Sequence, residues 1–510
     1  MAGLTRTDLT TAQKVSLTAE GVAGQGRYGV VTGLARDYGV SRPTVYSATH
    51  AGSEKLTEHF EEDRPNSTVV VAVGPEHLER VVVALRVMSA TSIRQIEDIL
   101  PILYPGVRIS FGKVQSILAE AESRAHDFNA SVDLSGISAC ALDEMFSQGN
   151  PVLGGIDLDL GYVFALAVRE TRSGRDWAEV LGALAEEQGL SVQVVVKDAG
   201  AGMAAGVGEV FPDAEQRDDC FHAHYEMGGR LAALERSAYA AIRREEKAEQ
   251  AIAKMKRFGR GNRRATFREL RAARKACEKA ISKYDRLHVS VKLAREALEF
   301  VDLETGQLRE PQQMQKQLEE AAAQMTGHKN RGGRNMGTYL RNRAPGLSLF
   351  MHSLSQHLRE LFPRFGEEAV LLACVVRRLI DDLKRRRRPW AERNDKQHLL
   401  AAYAQLRNCL NTDDAQALLD SVDECLRRRH RASSAIEGLN CVLRPHLYVH
   451  RGVTQGFLEL FRAYYNLRIR RWGRFKGTSA HGLLTGSNSG DWLSWLGYPP
   501  VNEHKPTIVH

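Results

Sequence analysis

Val192-Gln193-Val194-Val195-Val196 narrows the folds open to this chain more than any other segment. A run this rich in β-branched residues reads as a strand buried on both faces, the kind found inside a sheet covered by helices. The sequence before it fits the same sheet. Ile137 to Leu142, Val152 to Asp157 and Tyr162 to Val168 are short apolar runs, with Asp159-Leu160-Gly161 as the hairpin turn between the last two. Asp176 to Gln188 reads as a helix with Trp177, Val180, Leu181 and Leu184 on one face. The predicted order is strand, strand, strand, helix, strand. One acid closes the first strand and another follows the fourth.

Upstream, the periodicity is helical. The stretch Val31 to Tyr46 resembles a helix-turn-helix. Ala35 is small where two helices must cross, and Gly39 falls where the turn needs a positive φ. Val40 and Val45 anchor the turn and the second helix, which Ser41 can cap and whose first turn tolerates Pro43. Arg42, Thr44, Tyr46 and Ser47 then face outward, toward a DNA groove. A plain helical hairpin accounts for the same pattern. A second helical unit spans Glu76 to Ala130. Leu78, Val81, Val82 and Leu85 recur at helical spacing, as do Ile93, Ile96, Ile99 and Leu100. This unit reads equally as another helix-turn-helix or as a spacer, and Glu62 to Ser67 as the linker before it.

Downstream, residues 229–430 are helical and charge-rich, with long, partly solvated segments that can pair as antiparallel coils and with basic loops at 259–264 and 327–334. The expected domains are therefore 1–62, 68–132, a core in two parts (135–228 and 431–485), an all-helical insertion at 229–430, and a tail at 486–510.

With 510 residues and 43% hydrophobic content, the chain can bury several cores. The net charge of +8 is concentrated at Arg385–Arg388, at Arg427 to Arg431 and at Arg468 to Lys476, which suits a polyanionic partner. Solvated helix faces explain the first of these clusters as well. The seven cysteines are scattered without zinc-knuckle spacing, which implies a reducing compartment. No leader and no membrane-length apolar run is expected, and the predicted location is cytoplasmic, beside the nucleoid.

Three acids carry the chemistry. Asp143 ends Ala139-Cys140-Ala141-Leu142, Asp198 ends the strand at Val196-Lys197, and Glu437 lies early on a helix in Ser433-Ser434-Ala435-Ile436-Glu437. Carboxylates at the ends of neighbouring strands can converge on hard divalent cations, which polarise a phosphodiester and its attacking hydroxyl. Each acid has a competing explanation. Glu144 is a rival to Asp143, although strand alternation puts the two on opposite faces. Asp157 and Asp159 flank a turn, where acids serve local needs. Ser434 and Glu437 fit a capping box that needs no chemistry. Against that, Asn440 and Arg444 lie along the same helix face as Glu437, as groups that could contact phosphate.

This order of motifs resembles a DDE transposase of a prokaryotic insertion sequence, in a Mutator-like or related group. Asp219-Cys220-Phe221-His222 is similar to the acid-or-Cys, two residues, His signature of such families. Ser433 to Asn440 is similar to the segment carrying their last acid. The resemblance implies an α/β ribonuclease H-like core interrupted by the helical insertion and preceded by helix-turn-helix domains. It implies two Mg²⁺ ions (or Mn²⁺) on Asp143, Asp198 and Glu437, with His222 as a further catalytic residue. His222 packed against Phe221 at a helix start is the plain alternative, and no zinc set surrounds Cys220. The implied partners are the element's terminal inverted repeats, target DNA and further copies of the chain, with no membrane. Arg470, Arg471, Trp472, Arg474 and Lys476 interleave base with an aromatic ring, as contacts to a distorted or flipped nucleotide would. Two rival readings are a resolvase-like nuclease on the same fold and a non-catalytic DNA-binding regulator.

Overall fold

A computed structural model describes residues 8–62, 74–198, 200–259, 262–328, 330–385, 389–449, 452–487 and 490–500. The chain is mostly helical with a small mixed sheet, and it divides into two compact units, 1–74 (with 501–510) and 75–500. The linker expected at 62–67 falls outside the described residues apart from Glu62, and residues 501–510 lie outside them entirely.

The first unit holds α1 (Thr11–Ala23), α2 (Val30–Asp37) and α3 (Arg42–Glu62). A capping box opens α1: the Thr10 hydroxyl accepts from Gln13 N at 3.3 Å and Gln13 Oε1 accepts from Thr10 N at 3.0 Å. Gly39, at φ +64°, makes the turn from α2 to α3. Ser41 Oγ accepts from Thr44 N at 3.3 Å and so caps α3. Leu17, Leu34, Val40 and Val45 form the core. Ala35 packs beside them, but the tightest helix approach is elsewhere, between α1 and α3. There a Cβ on Gly52 would stand 2.2 Å from Thr18 Cγ2. Arg42, Thr44, Tyr46 and Ser47 are all exposed.

The second unit begins with α4 (Pro75–Met88), α5 (Ile93–Leu103) and α6 (Phe111–Ala130). The sheet region follows as β1 (Ala139–Ser147), β2 (Asn150–Asp157), β3 (Val163–Val168), α7 (Gly174–Gln188), β4 (Val194–Lys197), α8 (Ala201–Val210) and β5 (Glu215–Asp218). The strand order is β3-β2-β1-β4-β5. β2 runs antiparallel to β1 and to β3, while β4 runs parallel to β1 and to β5. β1 is longer than its apolar run, because its second half pairs with β2 through a tight turn at Gln148 and Gly149, both at positive φ. Asp143 therefore lies inside β1 rather than at its end.

Next come α9 (Cys220–Phe258), α10 (Arg263–Ala297), α11 (Pro311–Thr326), α12 (Arg331–Ser348), α13 (Phe350–Arg359), α14 (Phe362–Phe365), α15 (Glu367–Arg385), α16 (Pro389–Cys409) and α17 (Thr412–Arg427). They share one large core that includes Met227, Val291, Leu340, Phe350 and Leu418. α9 and α10 pair as long antiparallel helices, stitched by Arg274 to Glu245 and Glu249. The boundary expected at 229 therefore falls within a helix, α9. Arg263, Arg264, Arg331 and Arg334 open helices instead of decorating loops. Arg386–Arg388 lie outside the described residues.

The chain returns as α18 (Ser434–Val449), α19 (Gln455–Leu467), α20 (Ala480–Thr485) and α21 (Trp492–Trp495). α18 and α19 cover one face of the sheet together with α4 to α6. Val82, Ile96 and Ile117 share a core with Ala141, Met145, Leu443, Phe457 and Phe461. The helices at 75–130 are thus not walled off as a separate domain, because their apolar stripes are spent on the sheet and its helices. α7 and α8 cover the other face, where Trp177, Leu181 and Met203 meet Cys140, Leu142 and Phe164. The Trp-containing tail docks as well: Trp492 packs edge-on against Tyr464 at 5.0 Å, and Arg80 pairs with Asp491 at 2.7 Å. Among the described residues, no helix is long and apolar enough to cross a membrane.

Candidate active site

The parallel pairing of β1 with β4 ends at Leu142 opposite Lys197, so Asp143 and Asp198 stand one step beyond the last pair on adjacent strands. α18 packs across β1 and β2 at this point, with Ile436 against Gly154, the β2 partner of Asp143. Asn440, one turn along α18 from Ile436, donates to Asp143 Oδ2 at 2.6 Å. The other oxygen, Oδ1, accepts from Glu144 N at 2.8 Å. Asp198 Oδ1 accepts from Gly200 N at 2.8 Å.

Electrostatics link the three acids. Burial pushes the Asp143 carboxyl up to about 6, and the charges of Asp198 and Glu437 add to the rise; the amides of Glu144 and Asn440 oppose it. Asp143 thus feels both other acids. Alternation sends Glu144 to the opposite face, where Oε1 accepts from Trp177 Nε1 at 3.1 Å and Oε2 pairs with Arg172 at 2.8 Å. Asp157 serves its turn: Oδ2 accepts from the amides of Leu160 and Gly161. Asp159 pairs with His430 at 3.0 Å.

Glu437 is not part of a capping box. The amide of Glu437 donates to Ser433 O, which makes Ser433, not Ser434, the N-cap residue and puts Glu437 one position too far along. The Ser433 hydroxyl donates instead to Asp219, 214 residues away. Asp219 is 4% exposed and also caps α9, accepting from Phe221 N at 2.6 Å. The acid of the Asp219-to-His222 motif therefore fastens the approach to α18 onto the start of α9. Its place before a helix was legible as a cap, whereas its long-range serine partner left no local signal.

Other expected site residues have different roles. Asn440 is 2% exposed and holds Asp143, so it is not a surface phosphate contact. Arg444 is exposed on α18. His222 is half-buried at the third position of α9, and among the described residues no hydrogen bond or ion pair joins it to the three acids. Cys220 is buried, with its thiol against Leu347 O. Arg470 is structural: its guanidinium donates to Leu160 O at 2.9 Å and Gly161 O at 3.0 Å, clamping the turn that Asp157 caps from within. Arg471, Trp472, Arg474 and Lys476 are exposed on a loop closed by Arg470 N to Thr478 O, with Trp472 79% exposed. The cluster at 427–431 is largely engaged. Arg427 and Arg428 pair with Glu424, and Arg431 donates to Leu298 O.

Arg470→Ala is expected to cost about 2–3 kcal/mol in urea unfolding, since two charged hydrogen bonds are lost. Asn440→Ala is expected to lower turnover by about ten- to a hundredfold, as when an outer partner of a metal ligand is removed. It also moves the acidic limb of the pH–rate profile upward, because the Asn440 amide is one of the groups holding the Asp143 pKa down.

Whether these residues suit hard divalent cations is tested by their own chemistry. The donors are all oxygen, as such ions prefer. The charges of Asp198 and Glu437 both bear on Asp143, and Asn440 Oδ1 is a buried acceptor without a partner. These features fit. Among the described residues, however, no three His, Cys, Asp or Glu side chains already converge on one point. Asp143 and Asp198 each accept from amide donors. The set is one of suitable ligands sharing one field, not a preformed cage. No family model matches this chain, and no curated protein does.

Proposed function

We propose that the protein is a DDE-type DNA transposase with a ribonuclease H-like core, acting on the ends of a mobile element. The observation that carries this reading is the placement of Asp143 and Asp198 one step past the last β1–β4 pair, with α18, which bears Glu437, joined to Asp143 through Asn440. The 3-2-1-4-5 strand order, with only the first three strands antiparallel, supports the ribonuclease H-like assignment. The long helical segment between β5 and the helix bearing Glu437 supports the inserted-domain reading. Exposure of Arg42, Thr44, Tyr46 and Ser47 on a capped helix after a Gly39 turn supports a DNA-reading first unit.

Asp143, Asp198 and Glu437 would hold two Mg²⁺ or Mn²⁺ ions. Bound there, such ions polarise a phosphodiester and activate the water or 3′-hydroxyl that attacks it. Asn440 orients Asp143, and the Asp219–Ser433 contact sets the entry of α18 and with it the position of Glu437. Trp177 and Arg172 keep Glu144 turned away. The exposed cations around Trp472 neutralise phosphates. The protein works beside the nucleoid as a dimer or larger assembly, since two element ends must be joined.

The test supplies purified protein and Mg²⁺ with a plasmid carrying the inverted repeats that flank the gene. Strand-transfer products joined to those ends are expected. Cleavage of branched DNA without strand transfer would assign the site to a resolvase-like nuclease, and binding without any cleavage would leave only a regulator.

A further inference from the structure

A cleft of about 1370 Å³ opens where α10 faces the starts of α9 and α18. Its wall includes Ser434, one helical turn before Glu437 on the same side of α18. The cleft therefore adjoins the acidic site.

The charges on its wall do not cancel. The lining acids Glu296, Glu299 and Asp382 all lie against Arg378, at 3.0, 3.8 and 3.0 Å. Lys292, Arg295 and Arg429 also line it, and among the described residues none of the three side chains makes a hydrogen bond or ion pair. Arg429 is held down to about 9 chiefly by burial and then by neighbouring Arg431, with Glu299 and Asp381 opposing the shift from beyond ion-pair distance. The remaining wall is apolar and aromatic. Phe221 is 49% exposed into solvent, anchored through its own amide to Asp219, and Leu303 is 37% exposed. The space exceeds that of an ordinary small-molecule pocket. Unpaired cations beside an exposed ring are what a single strand needs: phosphates meet the cations, and an unstacked base lies on the ring. Duplex DNA keeps its bases stacked and offers nothing to Phe221.

We infer that this cleft binds a single-stranded segment of DNA, with Lys292, Arg295 and Arg429 on its phosphates and Phe221 stacked on a base. The inference rests on the DNA-processing reading above. It gives the Asp219-to-His222 motif a second task, in which Asp219 fixes the backbone that presents Phe221. A strand parted from its complement beside the acids leaves the scissile phosphate free to enter them.

The test is fluorescence anisotropy in chelator, so that no cleavage intrudes. The two probes share one duplex end, one blunt and one with a single-stranded tail of about ten nucleotides. The full chain is expected to prefer the tailed probe. Phe221→Ala is expected to weaken tailed binding about tenfold and leave blunt binding unchanged. Lys292→Ala with Arg295→Ala, both exposed positions, is expected to reduce the salt slope on the tailed probe by about 1.4, for two single-strand phosphates. Circular dichroism confirms that each variant folds. A full chain that binds both probes equally overturns the cleft assignment and leaves the transposase reading standing, as does a tail preference that survives both sets of substitutions. A full chain that binds neither probe overturns both. Intact tail binding together with full strand transfer by Asp143→Asn supports the cleft and overturns the assignment of the acids.

Discussion

Asp143→Asn, Asp198→Asn and Glu437→Gln are each expected to lower strand cleavage and strand transfer by at least about a thousandfold, while affinity for terminal-repeat DNA stays within about twofold of the wild type. The changes are nearly isosteric, so packing is spared. What each removes is one negative charge from a field that all three share. The two readouts must separate. Gel-shift and cleavage assays on one preparation measure both. Loss of binding along with cleavage would mean that the acids hold the fold rather than the reaction. Retained cleavage in the Glu437 variant would return that residue to a solvated helix. Glu144→Gln is the informative neighbour: its carboxylate is engaged by Trp177 and Arg172 on the other face of β1. It is expected to change stability far more than turnover.

Metal-free protein is expected to lose stability as the pH rises from about 4 through about 6. Asp143 and Asp157 are both pushed up to about 6 from an ordinary value of 3.8, chiefly by burial. A carboxyl whose folded pKa is raised favours the fold when protonated. That contribution is complete below the unfolded pKa and is gone once the pH has passed the folded one. Each group accounts for up to about 3 kcal/mol across this window. Asp143→Asn in chelator should therefore be more stable than the wild type at pH 8 and equal to it at pH 4, as read by urea unfolding. Mg²⁺ should close most of that gap at pH 8. Ion at a hundred times its dissociation constant stabilises the wild type by about 2.7 kcal/mol and the variant by much less. A wild type whose unfolding is indifferent to Mg²⁺ would count against the acids as ligands.

Much of the sheet was legible because burial writes itself into composition. β4 is a valine run because both its faces are covered, and Val195 and Val196 are almost fully buried. β5, Glu-Gln-Arg-Asp, was missed. It is a four-residue edge strand with only Arg217 buried, and Arg217 is satisfied by the carbonyl of Arg429 and the hydroxyl of Ser353. No pattern along the chain encodes such partners. The same limit explains Asn440 and Arg470. Their neighbours in sequence suggest a surface that meets phosphate, whereas their contacts lie about 300 residues back, on Asp143 and on the β2–β3 turn. At Glu437 two consecutive serines allowed two helix starts. The choice between them was made by a carboxylate from another part of the chain, Asp219.

The longest helix has a mechanical consequence. With 39 residues, α9 extends about 58 Å from its root at Asp219. That root also grips the serine leading into α18. A load applied to the far tip, stiffened by its pairing with α10, acts as torque on a pivot that also carries the third acid's helix. The molecule thus owns a lever whose short arm ends at the helix that bears Glu437.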